Sequence, residues 1–427
     1  MYAAGTRGDV QPMCVLGSEL INRGHEVTMV ATGDMVHVGL DLGIPTVSLG
    51  FDAREFLNSA DGRRWLAAGD MKKYTQGLLD HKVKLAATIQ GSLVEAARGA
   101  DMIVSGVLLQ DEASCVAELQ GVPLVLVHYA PSRPNREFLP PMLGTRRLPR
   151  RITELVQRLV IRAEWRKVQP YINDFRSRLN LEPARMPLAT RLASAGSIEI
   201  QAYSRHLVPE LAQWDSRHPV VGSIMPTEQQ HALWGDTRTD EVLDDWIDGG
   251  TPPVYLGFGS MPVEDPDAMM RIVRRIAASL DIRILVGAGW SDYTPPPIRS
   301  DDPVRLVSKI DHGHMLPRFR AAVHHGGSGT TAAVVRAGLP SVVCAVSFDQ
   351  PFWGARLQDR QIGRLIRFTE FSEDVLIGAL KPLLDAEPRA RARALGEAMR
   401  AESAVTTSAD IIENAGKRAQ IAADELV

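Results

Sequence analysis

Three glycine-marked loops carry the residues best suited to chemistry: Gly5-Thr6-Arg7-Gly8-Asp9-Val10-Gln11-Pro12, Gly257-Phe258-Gly259-Ser260-Met261-Pro262 and His325-Gly326-Gly327-Ser328-Gly329-Thr330-Thr331. Each follows a strand-like apolar run and precedes a helical pattern, the kind of junction at which parallel α/β sheets collect ligands. The third loop is the best anion site: free backbone N–H groups at a helix start, glycines that put no Cβ in the way, and hydroxyls and a histidine alongside. A lone glycine cluster reads equally well as a tight turn, but three at strand–helix junctions point to phosphate. No G-x-G-x-x-G follows the first strand and no G-x-x-x-x-G-K-[ST] occurs, so a nicotinamide dinucleotide is weakly supported and a P-loop nucleotidase is excluded. The single Asp-x-Asp, Asp265-Pro266-Asp267, has proline at a first helical position and reads as an N-cap rather than a metal clamp. The phosphate site is therefore expected to need no metal and no cofactor. Helix dipoles, backbone amides and His325 would hold the negative charge.

The elements that must position these loops alternate. Apolar runs at 26–31, 102–105, 122–128 and 198–203 in the first half, and at 253–258, 282–287, 304–308, 321–324 and 341–346 in the second, read as strands. Between them lie amphipathic stretches such as 10–23. Strands separated by helices imply parallel sheets with right-handed crossovers, hence an α/β fold with a doubly wound domain in each half. A chain of 427 residues suits two domains of about 200 residues each. A polar, proline-containing segment near 215–240 separates the halves, and the alanine-, arginine- and glutamate-rich tail from 386 should be helical. The first strand is unusually brief, with only Met1–Ala4 before Gly5. The 48 basic and 51 acidic side chains balance closely, which gives no support to a nucleic-acid partner. No apolar run reaches the roughly 18 residues of a membrane span, and no signal peptide is visible. Cys14, Cys115 and Cys344 lie in apolar segments and read as buried thiols of a reducing cytoplasm.

The motifs "GTRGDVQP" with "RGHEV", "GFGSMP", and "HHGGSGTTAAVVRAGLPSVV…DQPFWGARL" together resemble the GT-B nucleotide-sugar glycosyltransferases. The similarity is to the bacterial branch that decorates antibiotics and other natural products, and to the sterol glucosyltransferases. It spans almost the whole chain and is weakest near 50–100 and 130–190, where such enzymes build the acceptor pocket. The resemblance implies two Rossmann-like doubly wound domains facing a cleft. An acceptor-binding domain would span 1–220, a linker 221–240, a nucleotide-sugar-binding domain 241–405, and a helical tail 406–427 packing back toward the first domain. His325 would donate to the diphosphate, with Gly327, Ser328, Gly329 and Thr330 supplying amides and hydroxyls and Gly259 and Ser260 approaching from the second loop. Trp290 would stack on the base and Ile310 would meet it through main chain. Asp349 and Gln350 would bond the sugar hydroxyls, an acid and an amide accepting and donating together. Thr6 could touch the diphosphate from the first loop.

Asp9 is the candidate general base for an acceptor hydroxyl. From the residues alone, capping of the following helix stands level with catalysis; the resemblance tips the reading to catalysis. Plant relatives carry histidine at this place, and their partner acid would fall near Val107, so no His–Asp dyad is available. The implied activity is inverting, metal-independent transfer of a hexose from a UDP- or dTDP-sugar to a hydroxyl of an apolar acceptor such as a natural product, macrolide, sterol or lipid. A nucleotide-sugar 2-epimerase on the same fold is the alternative. His128 and Tyr129, at a strand end, are candidates to line the acceptor pocket, as are Arg133 and Arg136. His25 reads as fixing a turn, His324 as structural, and the His312/His314 pair as lacking a third metal ligand. The basic stretch 146–167 reads as an amphipathic helix with a solvated arginine face, and membrane contact as at most peripheral.

Overall fold

The computed structural model describes residues 1–140, 143–235, 241–259, 261, 263, 265–290, 302–307 and 310–424. The chain divides into two compact units: Met1–Ala53 with Thr75–Pro226 and Glu402–Val427, and Arg54–Tyr74 with Thr227–Ala401. In the first, strands β1 (Tyr2–Ala3), β2 (Met29–Ala31), β3 (Thr46–Ser48), β4 (Ile103–Gly106), β5 (Leu124–His128) and β6 (Ile198–Gln201) form one sheet in the order β3-β2-β1-β4-β5-β6. Every pairing is parallel, for example Val104 beside Val125 and Tyr2 beside both Val30 and Ser105. Helices on both faces bury it, which is why the strands read as near-continuous apolar runs.

The second unit repeats that topology. Strands β7 (Val254–Gly257), β8 (Ile284–Gly287), β9 (Val304–Val307), β10 (Ala321–His324), β11 (Ser341–Ala345) and β12 (Gly363–Arg367) run in the order β12-β11-β10-β7-β8-β9, all parallel. In both sheets the chain reverses its direction of travel next to the first strand, between β1 and β4 and between β7 and β10. The crevice outside the carboxyl ends at such a reversal is where doubly wound sheets bind ligands. The loop bearing Asp9 leaves β1, and those bearing Gly259 and His325 leave β7 and β10.

Two boundaries differ from the sequence expectation. Residues 54–74 do not join the first unit: Leu57, Leu66 and Tyr74 pack with Trp290 and Val346, and the Tyr74 ring meets Phe348 edge-on at 5.5 Å. The segment near 221–240 is not a plain linker. Val220 bridges to Gln201, and Thr227 with Gln230 forms a capping box that starts a helix, Glu228–Leu233. Residues 236–240 lie outside the described set. In the tail, the helix Ala386–Arg400 packs in the second unit, with Arg336 donating to Met399 O at 2.7 Å. The helix Ala404–Asp424 lies on Arg7–Asn22 in the first, where Arg23 pairs with Asp410 at 2.7 Å and His25 with Glu413 at 3.0 Å.

The basic stretch forms the start of a 29-residue helix, Arg150–Arg178. Its first turns reverse the expected arrangement. Thr153 and Gln157 are buried, while Ile152, Leu155 and Leu159 face solvent.

Candidate functional site

In the second unit the sequence forces one imidazole into a slot. Gly326 adopts φ +91°, and a Cβ there would lie 2.5 Å from Val343 Cγ1, so only glycine lets the chain leave β10 this way. Gly327 then begins the helix Ser328–Arg336. A Cβ on Gly327 would sit 2.5 Å from His325 Nε2, and one on Gly259, from the neighbouring β7 loop, 3.1 Å from His325 Cε1. His325 is thus held between glycines from two loops. Burial lowers its pKa to about 4, so the ring is neutral near pH 7. Its Nδ1 is buried with no hydrogen-bond partner among the described residues, and so is Thr331 Oγ1. Buried polar atoms are rarely left so. Gly327 has no side chain to cap the helix, so its leading amides point outward with the positive end of the dipole. The orphan nitrogen thus stands two residues before the uncapped helix start, and the orphan hydroxyl is on the fourth residue of that helix. His324, by contrast, is structural: it meets Ser341 Oγ at 3.2 Å and accepts from Gly326 N–H at 3.1 Å, and burial lowers its pKa to about 3.

The β8 loop closes on the same place. Trp290 N–H donates to Gly259 O at 3.0 Å, the Arg54 guanidinium lies 5.9 Å from the Trp290 ring centre, and Ile310 is buried. Ser260 lies outside the described residues. Beyond β11, Phe348 takes a left-handed backbone, φ 54°, which turns Asp349 and Gln350 into the start of the helix Gln350–Asp359. Asp349 Oδ2 accepts from Trp353 Nε1 at 2.8 Å, and burial raises its pKa to about 6 against that bond. Gln350 differs from expectation. Its Oε1 already accepts from Val346 and Ser347 N–H at 2.8 and 3.1 Å, while among the described residues its Nε2 meets only Met261 Sδ, at 3.4 Å. The pair therefore offers a ligand an acceptor from Asp349 and a donor from Gln350, but not the amide oxygen.

In the first unit Gly5, at φ +118°, turns the chain into the helix Arg7–Asn22. A Cβ there would meet Asp9 Oδ2 at 2.3 Å. Asp9 caps this helix: Thr6 N–H donates to Asp9 Oδ2 at 2.9 Å, with the Thr6 hydroxyl at 3.4 Å. Capping does not preclude catalysis, because a carboxylate has lone pairs on both oxygens and this cap uses Oδ2. Tyr129 donates its phenol to Asp9 O at 3.1 Å, and burial with the Asp9 charge holds that phenol well above its usual pKa. The loops after β1 and β5 are thereby tied together at Asp9, a link no sequence signal announced.

His128 is not placed for an acceptor. It is fully buried, with Nε2 2.9 Å from Glu199 Oε2 and Nδ1 2.8 Å from Ser132 Oγ. A carboxylate only accepts, so Nε2 carries the proton. Burial, with the nearby Arg133 charge, lowers its pKa to about 4. Arg133 also spends its guanidinium on Glu199 and on Gln110, the latter at 2.7 Å. Burial alone would raise the Glu199 pKa; hydrogen bonds from His128 and His218 and the Arg133 charge instead hold it below the usual range. The strand-end polar residues thus form a buried cluster rather than a pocket wall. Elsewhere Asp265 accepts from Ala268 N–H at 2.8 Å as an N-cap, and His312 lies against Tyr255 at 3.4 Å.

Doubly wound twin sheets define a fold class, that of the GT-B glycosyltransferases, and comparison with known proteins bears this out. Residues 291–414 match the family described as erythromycin biosynthesis protein CIII-like, C-terminal domain. The chain is 33% identical over 424 residues to an uncharacterised glycosyltransferase of Mycobacterium tuberculosis, covering 97% of this chain and 98% of that one. It is 28% identical to a sterol 3-beta-glucosyltransferase of Arabidopsis thaliana, covering 96% of this chain and 66% of the relative. Solved natural-product glycosyltransferases share the fold along their length. One, from Streptomyces sp. SF2575 and complexed with thymidine diphosphate, has a TM-score of 0.60 at 16% identity, covering 97% of this chain and 98% of its own. The chain belongs to the GT-B glycosyltransferases, with relatives of natural-product and sterol type. Because these relatives are glycosyltransferases, the epimerase alternative is left without support.

Proposed function

We propose that the chain moves a hexose from a UDP- or dTDP-sugar to a hydroxyl of an apolar small molecule, with inversion and without a metal. The observation that carries this reading is the His325 slot: its Nδ1 has no partner among the described residues, and its Nε2 lies against Gly327 at an uncapped helix start. A neutral imidazole and free amides suit a diphosphate, whose charge grows on the bridging oxygen as the sugar leaves. Asp349 accepts from and Gln350 donates to the hexose hydroxyls, and Trp290 stacks on the base. Asp9 takes the proton of the acceptor oxygen as that oxygen attacks the anomeric carbon. One displacement through an oxocarbenium-like state inverts that centre. The thymidine diphosphate bound by a structural relative supports the donor class, and the sterol glucosyltransferase similarity supports an apolar acceptor.

The test is turnover, read by mass spectrometry, of UDP-glucose and dTDP-sugars with a panel of apolar hydroxylated aglycones. Calorimetric titration of UDP and dTDP runs in parallel, with and without a chelator. Transfer lost in His325→Ala together with nucleotide affinity is the expected result. Unchanged nucleotide binding by a folded His325→Ala protein refutes the assignment, and turnover abolished by the chelator refutes its metal independence.

A further inference from the structure

We infer that the first three turns of the helix Arg150–Arg178 form a docking surface for anionic lipid bilayers. A helix on a globular protein turns its apolar stripe inward, and the later turns obey, burying Trp165, Ile172 and Phe175. The first turns do the opposite. Their fully buried side chains are polar, with Val156 and Val160 half-buried beside them: Gln157 Nε2 donates to Phe138 O at 2.6 Å and Thr153 Oγ1 to Leu148 O at 3.2 Å. Their outward side carries Ile152, Leu155 and Leu159, which are 47%, 57% and 54% exposed. Spaced i, i+3 and i+7, these three line one face of the helix.

Charge identifies the occupant. Residues 146–167 hold eight basic side chains against two acidic ones, in a chain whose acidic groups outnumber its basic ones. Arg151, Arg158, Arg162 and Arg166 are exposed on the same outward side as the aliphatic tips. Interleaved aliphatic and guanidinium groups match the boundary of a bilayer, where the tips enter the acyl edge and the arginines meet phosphate headgroups. An acidic protein would have to supply a seat shaped to a straight row of aliphatic side chains; a lipid surface needs no such shape. No helix among the described residues is long and apolar enough to cross a membrane, so the contact is peripheral. A protein that glycosylates an apolar acceptor would meet that acceptor at such a surface, though the inference itself does not depend on the transfer reaction.

The full-length protein is sedimented with vesicles of phosphatidylcholine alone and of phosphatidylcholine with phosphatidylserine. Binding is expected only with phosphatidylserine and should weaken as salt rises. Combined Ile152→Gln, Leu155→Gln and Leu159→Gln should lower the partition coefficient at least about tenfold. Arg151→Gln, Arg162→Gln and Arg166→Gln should each lower it about fivefold. Unfolding midpoints and UDP affinity report that these surface variants fold. Equal sedimentation with both vesicles, or undiminished binding by either set of variants, overturns the inference. A parent dimer that dissociates in the triple aliphatic variant also overturns it, in favour of a second copy on this face. Because binding rather than turnover is read, any of these failures leaves the sugar-transfer proposal standing.

Discussion

Replacing Gly327 by alanine perturbs His325 while leaving the rest of the site in place. Gly327 has φ −59° and ψ 144°, a conformation alanine adopts without strain, so the backbone need not move. The new methyl, however, would lie 2.5 Å from His325 Nε2, about 0.9 Å inside ordinary contact. The imidazole must give way, because the methyl cannot retreat on an unmoved backbone. A shift near 1 Å breaks a charge-assisted hydrogen bond, a loss of about 1.5–3 kcal/mol. Affinity for UDP or dTDP should therefore fall roughly ten- to hundredfold. Stability should change by less than about 1 kcal/mol, since the residue gains a methyl at an unstrained position and breaks no backbone hydrogen bond. Calorimetric titration gives the affinity, and urea unfolding without ligand gives the stability. If a folded Gly327→Ala protein binds the nucleotides as tightly as the parent, His325 does not hold the diphosphate.

Gly329→Ala should separate stability from binding in the opposite sense. Nothing would lie within 4 Å of the added methyl, so stability should rise by about 0.4–1 kcal/mol while the methyl obstructs a phosphate; unaltered affinity would show that no ligand approaches there. Asp9→Asn keeps an oxygen for the Thr6 amide and removes the base, so turnover should drop about 10²–10⁴-fold with UDP affinity retained; full turnover refutes the base assignment. Glu199→Ala should cost about 3–5 kcal/mol of first-unit stability by stranding buried charge, measured by urea unfolding, with nucleotide affinity unmoved. Acid should weaken the fold. His128, His324 and His325, held at about 4, 3 and 4 against 6.5 unfolded, refuse protons that the unfolded chain accepts, and each loses about 1.4 kcal/mol per unit as pH falls below 6.5. Asp111 and Asp349, raised from 3.8 to about 6, work the other way between those values, but three such histidines outweigh two such carboxyls; a urea midpoint equal at about pH 7 and about pH 5 refutes this.

Buried parallel strands announce themselves, and β5, β7, β10 and β11 were legible as short β-branched runs because helices cover both their faces. The edge strands β6 and β9 were read as well, but the other two edges, β3 and β12, were not. Thr46–Ser48 is mostly exposed, and Gly363–Arg367 alternates arginine with aliphatic residues, so neither offers a continuous apolar signal. The anion loop was legible because glycine, histidine and hydroxyls are consecutive. The use of Gln350 Oε1 was not, because it depends on Phe348 entering the left-handed region, which no phenylalanine advertises. Nor could periodicity tell that 54–74 packs with Trp290 and Val346: an amphipathic pattern specifies that a face is buried, not against what. The same gap explains the helix from Arg150, where the sequence shows two stripes but not which of them turns inward.

How each helix start is satisfied distinguishes the two units more sharply than their shared topology. After β1 the chain supplies its own anion, since the Asp9 carboxylate answers the Thr6 amide and the dipole behind it. That helix start has its negative charge built in and would repel a phosphate. After β10 the N-cap equivalent to Thr6 is Gly327, which has no side chain, the place of Asp9 is taken by Thr330, and His325 Nδ1 finds no partner among the described residues. An uncapped helix start alone is common and means little, because water can serve it. A buried orphan nitrogen beside it is another matter: leaving it unmet costs about 1–3 kcal/mol, a cost a bound oxyanion would remove. Two copies of one architecture thus differ at a single functional point, whether the anion is covalently part of the loop or must arrive with the substrate. On the proposed reading, the negative charge resident after β1 takes the acceptor's proton, and its absence after β10 leaves that loop open to a diphosphate.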